Sequence, residues 1–137
     1  MDRRKFLALS AAASAAYALP AIASMVDYYP GLVDSELAAG KTVFLDFAAS
    51  WCGTCAAQAR VLGRLKSENP AYEENIVFVR VDWDQYRSAD ITRRLSIPRR
   101  STLVVLKGDQ ELGRLVAGTG RAQIKELMDV ALGAATA

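Results

Sequence analysis

The 137-residue chain contains no histidine, only two cysteines and only four prolines. Without histidine there is no imidazole catalysis, and no zinc site that needs an imidazole ligand. Two cysteines three positions apart, with no others, exclude a scaffold stapled by several disulfides. They turn attention to the pair itself. A strong excess of one charge is also missing. Seventeen basic residues face 15 acidic ones, a net charge of +2. That excludes a strongly basic nucleic-acid binder on composition, and no nucleic-acid partner is expected. Apolar types make up 52% and charged types 23%, ordinary globular usage that excludes wholesale disorder. The length holds one domain. No repeat or low-complexity segment interrupts it.

The first 23 residues read as an address. Met1 to Lys5 is a short basic run, followed by an Ala/Leu stretch from Phe6 to Ala18 and then Pro20. Ala21-Ile22-Ala23 supplies small residues at the two positions a signal peptidase reads. This three-part layout predicts a secretory signal over 1–23, cleaved after Ala23, and hence a periplasmic location. Arg3-Arg4-Lys5-Phe6-Leu7 also resembles the twin-arginine export motif, which reads Arg-Arg-x-Phe-Leu. It departs from that motif at Asp2, where Ser or Thr is usual, and at Ala8, where Lys is common. Export machinery is the expected partner by either route. Left uncleaved, the segment would act as a membrane anchor. It is short and Ala-rich for a spanning helix, which needs about 20 strongly apolar residues. Its removal takes away Asp2, Arg3, Arg4 and Lys5 and leaves 14 charges of each sign. The slight positive excess therefore belongs to the address, not to a ligand-binding face.

Residues 24–32 read as a tether carrying Tyr28, Tyr29 and Pro30, and 33–137 as one domain. Leu32 to Ala39 predicts a short helix, capped by Asp34 or Ser35 and ended by Gly40. Lys41 to Phe47 is a β-branched and aromatic run, the signature of a buried strand. A helix is expected from near Cys52 to about Ser67, with Ala56, Ala59, Leu62 and Leu65 as its apolar stripe and Asn69-Pro70 as its stop. Ile76 to Val81 predicts a second strand. Ser88 offers a cap for a helix through Leu95. Thr102 to Lys107 and Glu111 to Val116 predict two strands joined by Gly108-Asp109 as a hairpin. Ala122 to Leu132 predicts a closing helix with Ile124, Leu127, Met128 and Ala131 on one face. Right-handed crossovers make the helix-separated strands parallel, and the hairpin adds an antiparallel edge. The expected fold class is α/β, with a mixed four-stranded sheet flanked by helices on both faces.

Trp51-Cys52-Gly53-Thr54-Cys55 falls between a strand and a helix N-terminus. Free N–H groups and the positive end of the helix dipole stabilise a thiolate there. Cys52, at the helix edge, is expected to be exposed. Cys55 lies about one turn further in on the same side, within reach of a mixed disulfide formed at Cys52. Gly53 keeps the approach open, and Trp51 offers a flat apolar surface. A structural bond between residues so close in sequence would close a tiny loop and stabilise little. Two thiolates suit copper(I), but a closed zinc site needs four ligands. No metal or organic cofactor is expected beyond the redox pair itself.

Leu45 to Cys55, reading Leu-Asp-Phe-Ala-Ala-Ser-Trp-Cys-Gly-Thr-Cys, resembles the active-site segment of the thioredoxin family. The resemblance covers Val33 to Leu132 and implies a thioredoxin fold lacking little beyond the family's first strand. It implies thiol–disulfide exchange with protein substrates, with Cys52 as nucleophile, Cys55 as resolving thiol and Asp46 as the buried carboxylate that helps deprotonate Cys55. Arg80 stands where the family usually has a lysine near that aspartate. An arginine does not readily release its proton, so its role there is electrostatic. Thr54 replaces the proline of the usual Cys-Gly-Pro-Cys, and Arg60 replaces a proline of the active-site helix. The family's cis-proline loop, which faces the cysteines, aligns in two ways. Matching Thr102-Leu103 places Ser101 at that position without an insertion, and this alignment is favoured because it keeps strand register. Matching Ile97-Pro98 would place Pro98 there instead. A non-proline peptide is expected to be trans, because the cis form costs about 3 kcal/mol. Arg100 and Arg99 beside it favour acidic partners.

The candidate substrate-binding set is therefore Trp51, Gly53, Thr54, Ser101 and Arg100. A monomer that reduces protein disulfides, fed by a membrane electron donor, is the leading expectation. A disulfide-forming oxidant and a copper-handling or chaperone module on the same fold are the alternatives.

Overall fold

A computed structural model describes residues 25–137. The expected export segment, 1–23, lies outside the described residues. The described chain forms β1 (Val26–Asp27), α1 (Leu32–Ala38), β2 (Thr42–Ala48), α2 (Gly53–Glu68), α3 (Ala71–Asn75) and β3 (Ile76–Asp82). It continues with α4 (Trp83–Tyr86), α5 (Asp90–Arg94), β4 (Thr102–Lys107), β5 (Gln110–Val116) and α6 (Arg121–Ala135). One mixed sheet runs in the order β1-β3-β2-β4-β5.

β2 is the axis of the sheet. All seven of its residues are buried, as expected for a strand covered on both faces. It pairs in parallel with β3, from Thr42 opposite Ile76 to Ala48 opposite Asp82. It pairs antiparallel with β4, from Thr42 opposite Lys107 to Phe47 opposite Thr102. The pleat then sorts side chains by parity. Phe44, Phe78, Leu103 and Val105 pack with Leu62 and Leu65 of α2 and with Ile124 and Met128 of α6. Val43, Leu45, Phe47, Val79, Val81 and Val104 pack on the opposite face with Leu32 and Val33 of α1 and Ile91 of α5. The β4–β5 turn passes through Gly108 at φ +60, a left-handed position that suits glycine.

Among the described residues the sheet has five strands, not four. The extra strand, β1, lies in the segment expected to be a tether, and it pairs in parallel with β3 through Val26–Val79 and Asp27–Arg80. Two residues are too few to show an alternation, and both are exposed. α1 starts after Gly31, at φ +92, rather than from an Asp34 or Ser35 cap. Ser88 caps no helix. Two short helices occupy that stretch, α4 capped by the Asp82 carboxylate and α5 starting after Ala89.

Pro70 ends α2 as expected but also opens α3, where its fixed φ suits a first turn. α3 is held through Tyr72, which is buried and whose hydroxyl donates to the Asp129 carboxylate of α6. Tyr72→Ala should lower stability by about 3–5 kcal/mol, the cost of deleting a buried aromatic ring. Tyr72→Phe should lose only about 1 kcal/mol, the net value of one hydrogen bond. Urea unfolding midpoints read both, and equal losses would show that the ring contributes nothing beyond its hydroxyl.

Candidate active site

β2 runs directly into the site. Ala48, Ala49, Cys52 and Cys55 form a small buried cluster against Trp83. Cys52 is the N-cap of α2, and its sulfur accepts from the Cys55 amide at 3.2 Å. This aims a free helix N–H and the positive end of the dipole at the Cys52 sulfur. Gly53 follows, where an added Cβ would meet nothing within 4 Å. Thr54 is half-buried in the first turn.

Both cysteines are free thiols, and both are buried, Cys52 at 5% and Cys55 at 4% exposure. The expectation of an exposed Cys52 is corrected. The cause is the loop before β4, which closes over the pair. The Ser101 hydroxyl lies 3.2 Å from the Cys52 sulfur and 3.0 Å from the Cys55 sulfur. Ser101 is itself fully buried. Pro98 is exposed and makes no such contact. Of the two alignments, the geometry therefore brings Ser101 to the cysteines, and the described peptide bonds are all trans.

Burial alone would raise the Cys52 thiol. Hydrogen bonds from the Cys55 thiol, the Ser101 hydroxyl and the Cys55 amide, with the Arg100 side chain, outweigh it and bring Cys52 down to about 7. Burial raises Cys55, and its hydrogen bond to Cys52 raises it further. The two thiols are thus driven apart by one set of contacts.

Trp51 flanks the pair and is 60% exposed. Its indole Nε1 donates to the Asp84 carboxylate at 3.0 Å, and the Arg100 guanidinium stacks 4.4 Å from the ring. The ring is therefore held in place rather than free to turn. The exposed Trp51 and Gly53, with Arg100, surround the buried pair.

Asp46 sits in β2 opposite Arg80 of β3 and Leu103 of β4. It is 2% exposed, and its Oδ1 has no hydrogen-bond partner. Burial raises its carboxyl to about 6, against the opposing pull of Arg80 and Lys66. Asp46, Arg80, Arg60, Cys52 and Cys55 line one cleft of about 440 Å³. Among the described residues, no group of three or more acidic or cysteine side chains is placed to hold a metal.

Two buried polar residues were not singled out from the sequence. Gln58 is fully buried, and its Nε2 donates to the carbonyls of Ser101 and Gly118, both at 3.0 Å. Lys66 is 5% exposed, with its ammonium 3.9 Å from the centre of the Phe78 ring and 3.7 Å from the Glu73 carboxylate. Both lie on the true buried stripe of α2, which is Cys55, Gln58, Leu62, Leu65 and Lys66. The expected stripe began one position late, at Ala56, and that residue and Ala59 are exposed. Phasing the helix from Cys55 would have exposed Gln58 and Lys66 as polar residues facing inward.

The raised Asp46 carboxyl makes stability depend on pH. An acid raised above its unfolded value of about 3.9 stabilises the fold while protonated, and that contribution is lost as pH rises through about 6. Asp46→Asn should therefore gain stability relative to wild type between pH 4 and pH 7.5, by about 2–3 kcal/mol. Urea midpoints at the two pH values measure it. A pH-independent difference would mean that Asp46 titrates normally.

Comparisons with known proteins identify the family. Residues 27–130 match the Thioredoxin family model. Thioredoxin of Echinococcus granulosus is 31% identical over 96 residues, covering 70% of this chain and 83% of that one. Thioredoxin-2 of Saccharomyces cerevisiae is 32% identical over 94 residues, covering 68% of this chain and 84% of that one. Among solved structures, Trxlp from Edwardsiella tarda superposes with a TM-score of 0.66 at 27% identity, covering 76% of this chain and 98% of that one. Reduced Schistosoma mansoni thioredoxin pre-protein gives 0.61 at 25% identity, covering 77% and 96%. A family match across most of the chain, with two free thiols at the start of α2, makes this protein a member of the thioredoxin family and a thiol–disulfide oxidoreductase.

Proposed function

We propose that this oxidoreductase is an exported reductant of protein disulfides, with Cys52 as nucleophile, Cys55 as resolving thiol and Asp46 as proton acceptor. The observation that carries the reading is the split between the thiols. Cys52 is lowered to about 7 while Cys55 is raised, so the outer sulfur is ionised first. The Cys52 thiolate attacks a substrate disulfide, forms a mixed disulfide and releases one substrate thiolate. Cys55 then passes its proton to Asp46 and attacks the Cys52 sulfur. The second substrate thiolate leaves, and a Cys52–Cys55 disulfide remains. The Asp46 carboxyl near 6 and its share of the cleft with Cys55 support this route for the proton.

The moderate lowering of Cys52 supports a reductant. A strongly stabilised thiolate, near about 3.5, makes a dithiol an oxidant, whereas one near 7 goes with a reductant. Export is supported by the basic and apolar run of residues 1–23. A reductant in an oxidising compartment needs electrons from elsewhere, so a membrane dithiol donor is its natural partner. Trp51 and Arg100, at the mouth of the site, give substrates a flat apolar surface with a cation and favour acidic segments.

Equilibration with glutathione measures the direction. A potential near about −270 mV is expected, and one near about −120 mV would make the protein an oxidant. Cys52→Ser should abolish reduction of insulin disulfides. Cys55→Ser should accumulate a thiol-sensitive covalent adduct with the substrate on a non-reducing gel. Normal turnover by both variants would contradict the assigned roles.

A further inference from the structure

We propose that the Ser101 hydroxyl is a catalytic hydrogen-bond donor that follows the negative charge from Cys52 to Cys55, and that Gln58 is the positioning residue that holds it between them. The inference rests on the roles of Cys52 and Cys55 argued above. It concerns a step those roles leave open, namely what stabilises each thiolate inside a buried site.

The hydroxyl carries one hydrogen and stands at nearly equal distances from two sulfurs, 3.2 and 3.0 Å. Its own side chain has no other hydrogen-bond partner among the described residues. The family resemblance puts a proline at this position, which has no hydroxyl to offer, so the contact belongs to this chain. The backbone beneath it is fixed from three sides. The Ser101 amide donates to the Phe47 carbonyl at 2.7 Å, and its carbonyl accepts from the Ala117 amide at 2.8 Å and from Gln58 Nε2 at 3.0 Å. Its φ is +61, a left-handed conformation that serine seldom adopts unaided. Gln58 lies one turn beyond Cys55 on the same face of α2, and its amide nitrogen also binds the Gly118 carbonyl. The helix that carries the resolving thiol therefore also sets the position of the hydroxyl.

In the dithiol the hydroxyl donates to the Cys52 thiolate, to which the Cys55 thiol also donates. Attack on a substrate disulfide turns Cys52 into a neutral mixed disulfide, and the hydroxyl loses its charged acceptor. The Cys55 proton then moves to Asp46, and the hydroxyl turns about its Cβ–Oγ bond to donate to the new Cys55 thiolate. Cys55 attacks the Cys52 sulfur, the bond from Cys52 to the substrate breaks, and the substrate leaves as a thiolate carrying the electron pair. One hydroxyl serves both sulfurs because the charge is never on both at once. A donor to an ionised group is stronger than one to a neutral group, and its loss in a buried site is felt in full.

Two Ser101 variants separate the hydroxyl from the backbone. Ser101→Gly removes the hydroxyl and suits the positive φ, while Ser101→Ala removes it and keeps the strain. Thiolate absorbance against pH reads the ionisation of Cys52. Stopped-flow decay of a preformed mixed disulfide with a chromogenic aryl thiol reads the resolving step. Both variants should move the Cys52 ionisation upward by about one pH unit and slow resolution roughly ten-fold. Gln58→Met, which keeps the volume and removes the amide, should shift both readouts in the same direction by less. It supplies the test if the Ser101 variants do not fold. A Gly variant within two-fold of wild type would overturn the proposal, whatever the Ala variant does, because the hydroxyl would then be idle. The same holds for an unchanged Gln58→Met if only that variant folds. If wild type itself forms no mixed disulfide at Cys52, the assigned roles fail, and this proposal fails with them.

Discussion

The hydrogen bond from the Ser101 amide to the Phe47 carbonyl, at 2.7 Å, joins the two halves of the site. It ties the residue before β4 back to Phe47, which the β2–β4 ladder already pairs with Thr102. Everything at the cysteines depends on that register. β2 is buried on both faces, so a slip of one residue would turn its apolar side chains to the wrong layer and carry Asp46 with them. Because the register is fixed, Asp46 falls opposite Arg80, β2 delivers the chain to the start of α2, and β4 begins where Ser101 can close over the thiols. The sheet is thus the part of the structure that makes the geometry of the two sulfurs precise.

Two opposing effects meet at those sulfurs. Burial disfavours any thiolate, and it acts on both cysteines. Cys52 escapes because it caps the helix and gathers donors from the Cys55 amide, the Cys55 thiol and Ser101. Cys55, within the first turn, has no comparable excess of donors. The same burial raises Asp46 beneath them, opposed by Arg80 and Lys66. Removal from water therefore yields a resting thiol and a carboxyl able to take a proton near neutrality, while the donors around Cys52 make it the nucleophile against the same burial. The differences come from which hydrogen bonds each group receives.

Features carried by local runs were legible in the sequence. The β-branched run before the cysteines reads as a buried strand, the hairpin reads from Gly108-Asp109, and the face of α6 reads from Ile124, Leu127, Met128 and Ala131, all of which are buried. Cys52 and Cys55 stand out by their spacing at a strand-to-helix junction, and Asp46 through the family resemblance. What was hidden is non-local or too short. β1 exists only because β3 offers an edge to two exposed residues. α3 exists because Tyr72 finds Asp129 more than fifty positions away. Cys52 reads as exposed from its place at a helix edge, yet the loop before β4 covers it. Gln58 was hidden by phase alone, since the exposed alanines on α2 mimic an apolar stripe.

The central claim is that one set of contacts lowers Cys52 and holds Cys55 up. The most direct measurement is site-resolved alkylation of the reduced wild-type protein by iodoacetamide across pH, with the modified residue located by mass spectrometry. The account predicts modification at Cys52 with a midpoint near pH 7, and no modification at Cys55 until well above that. Equal modification of both cysteines, with a shared midpoint at the ordinary thiol value of about 8.5, would contradict it.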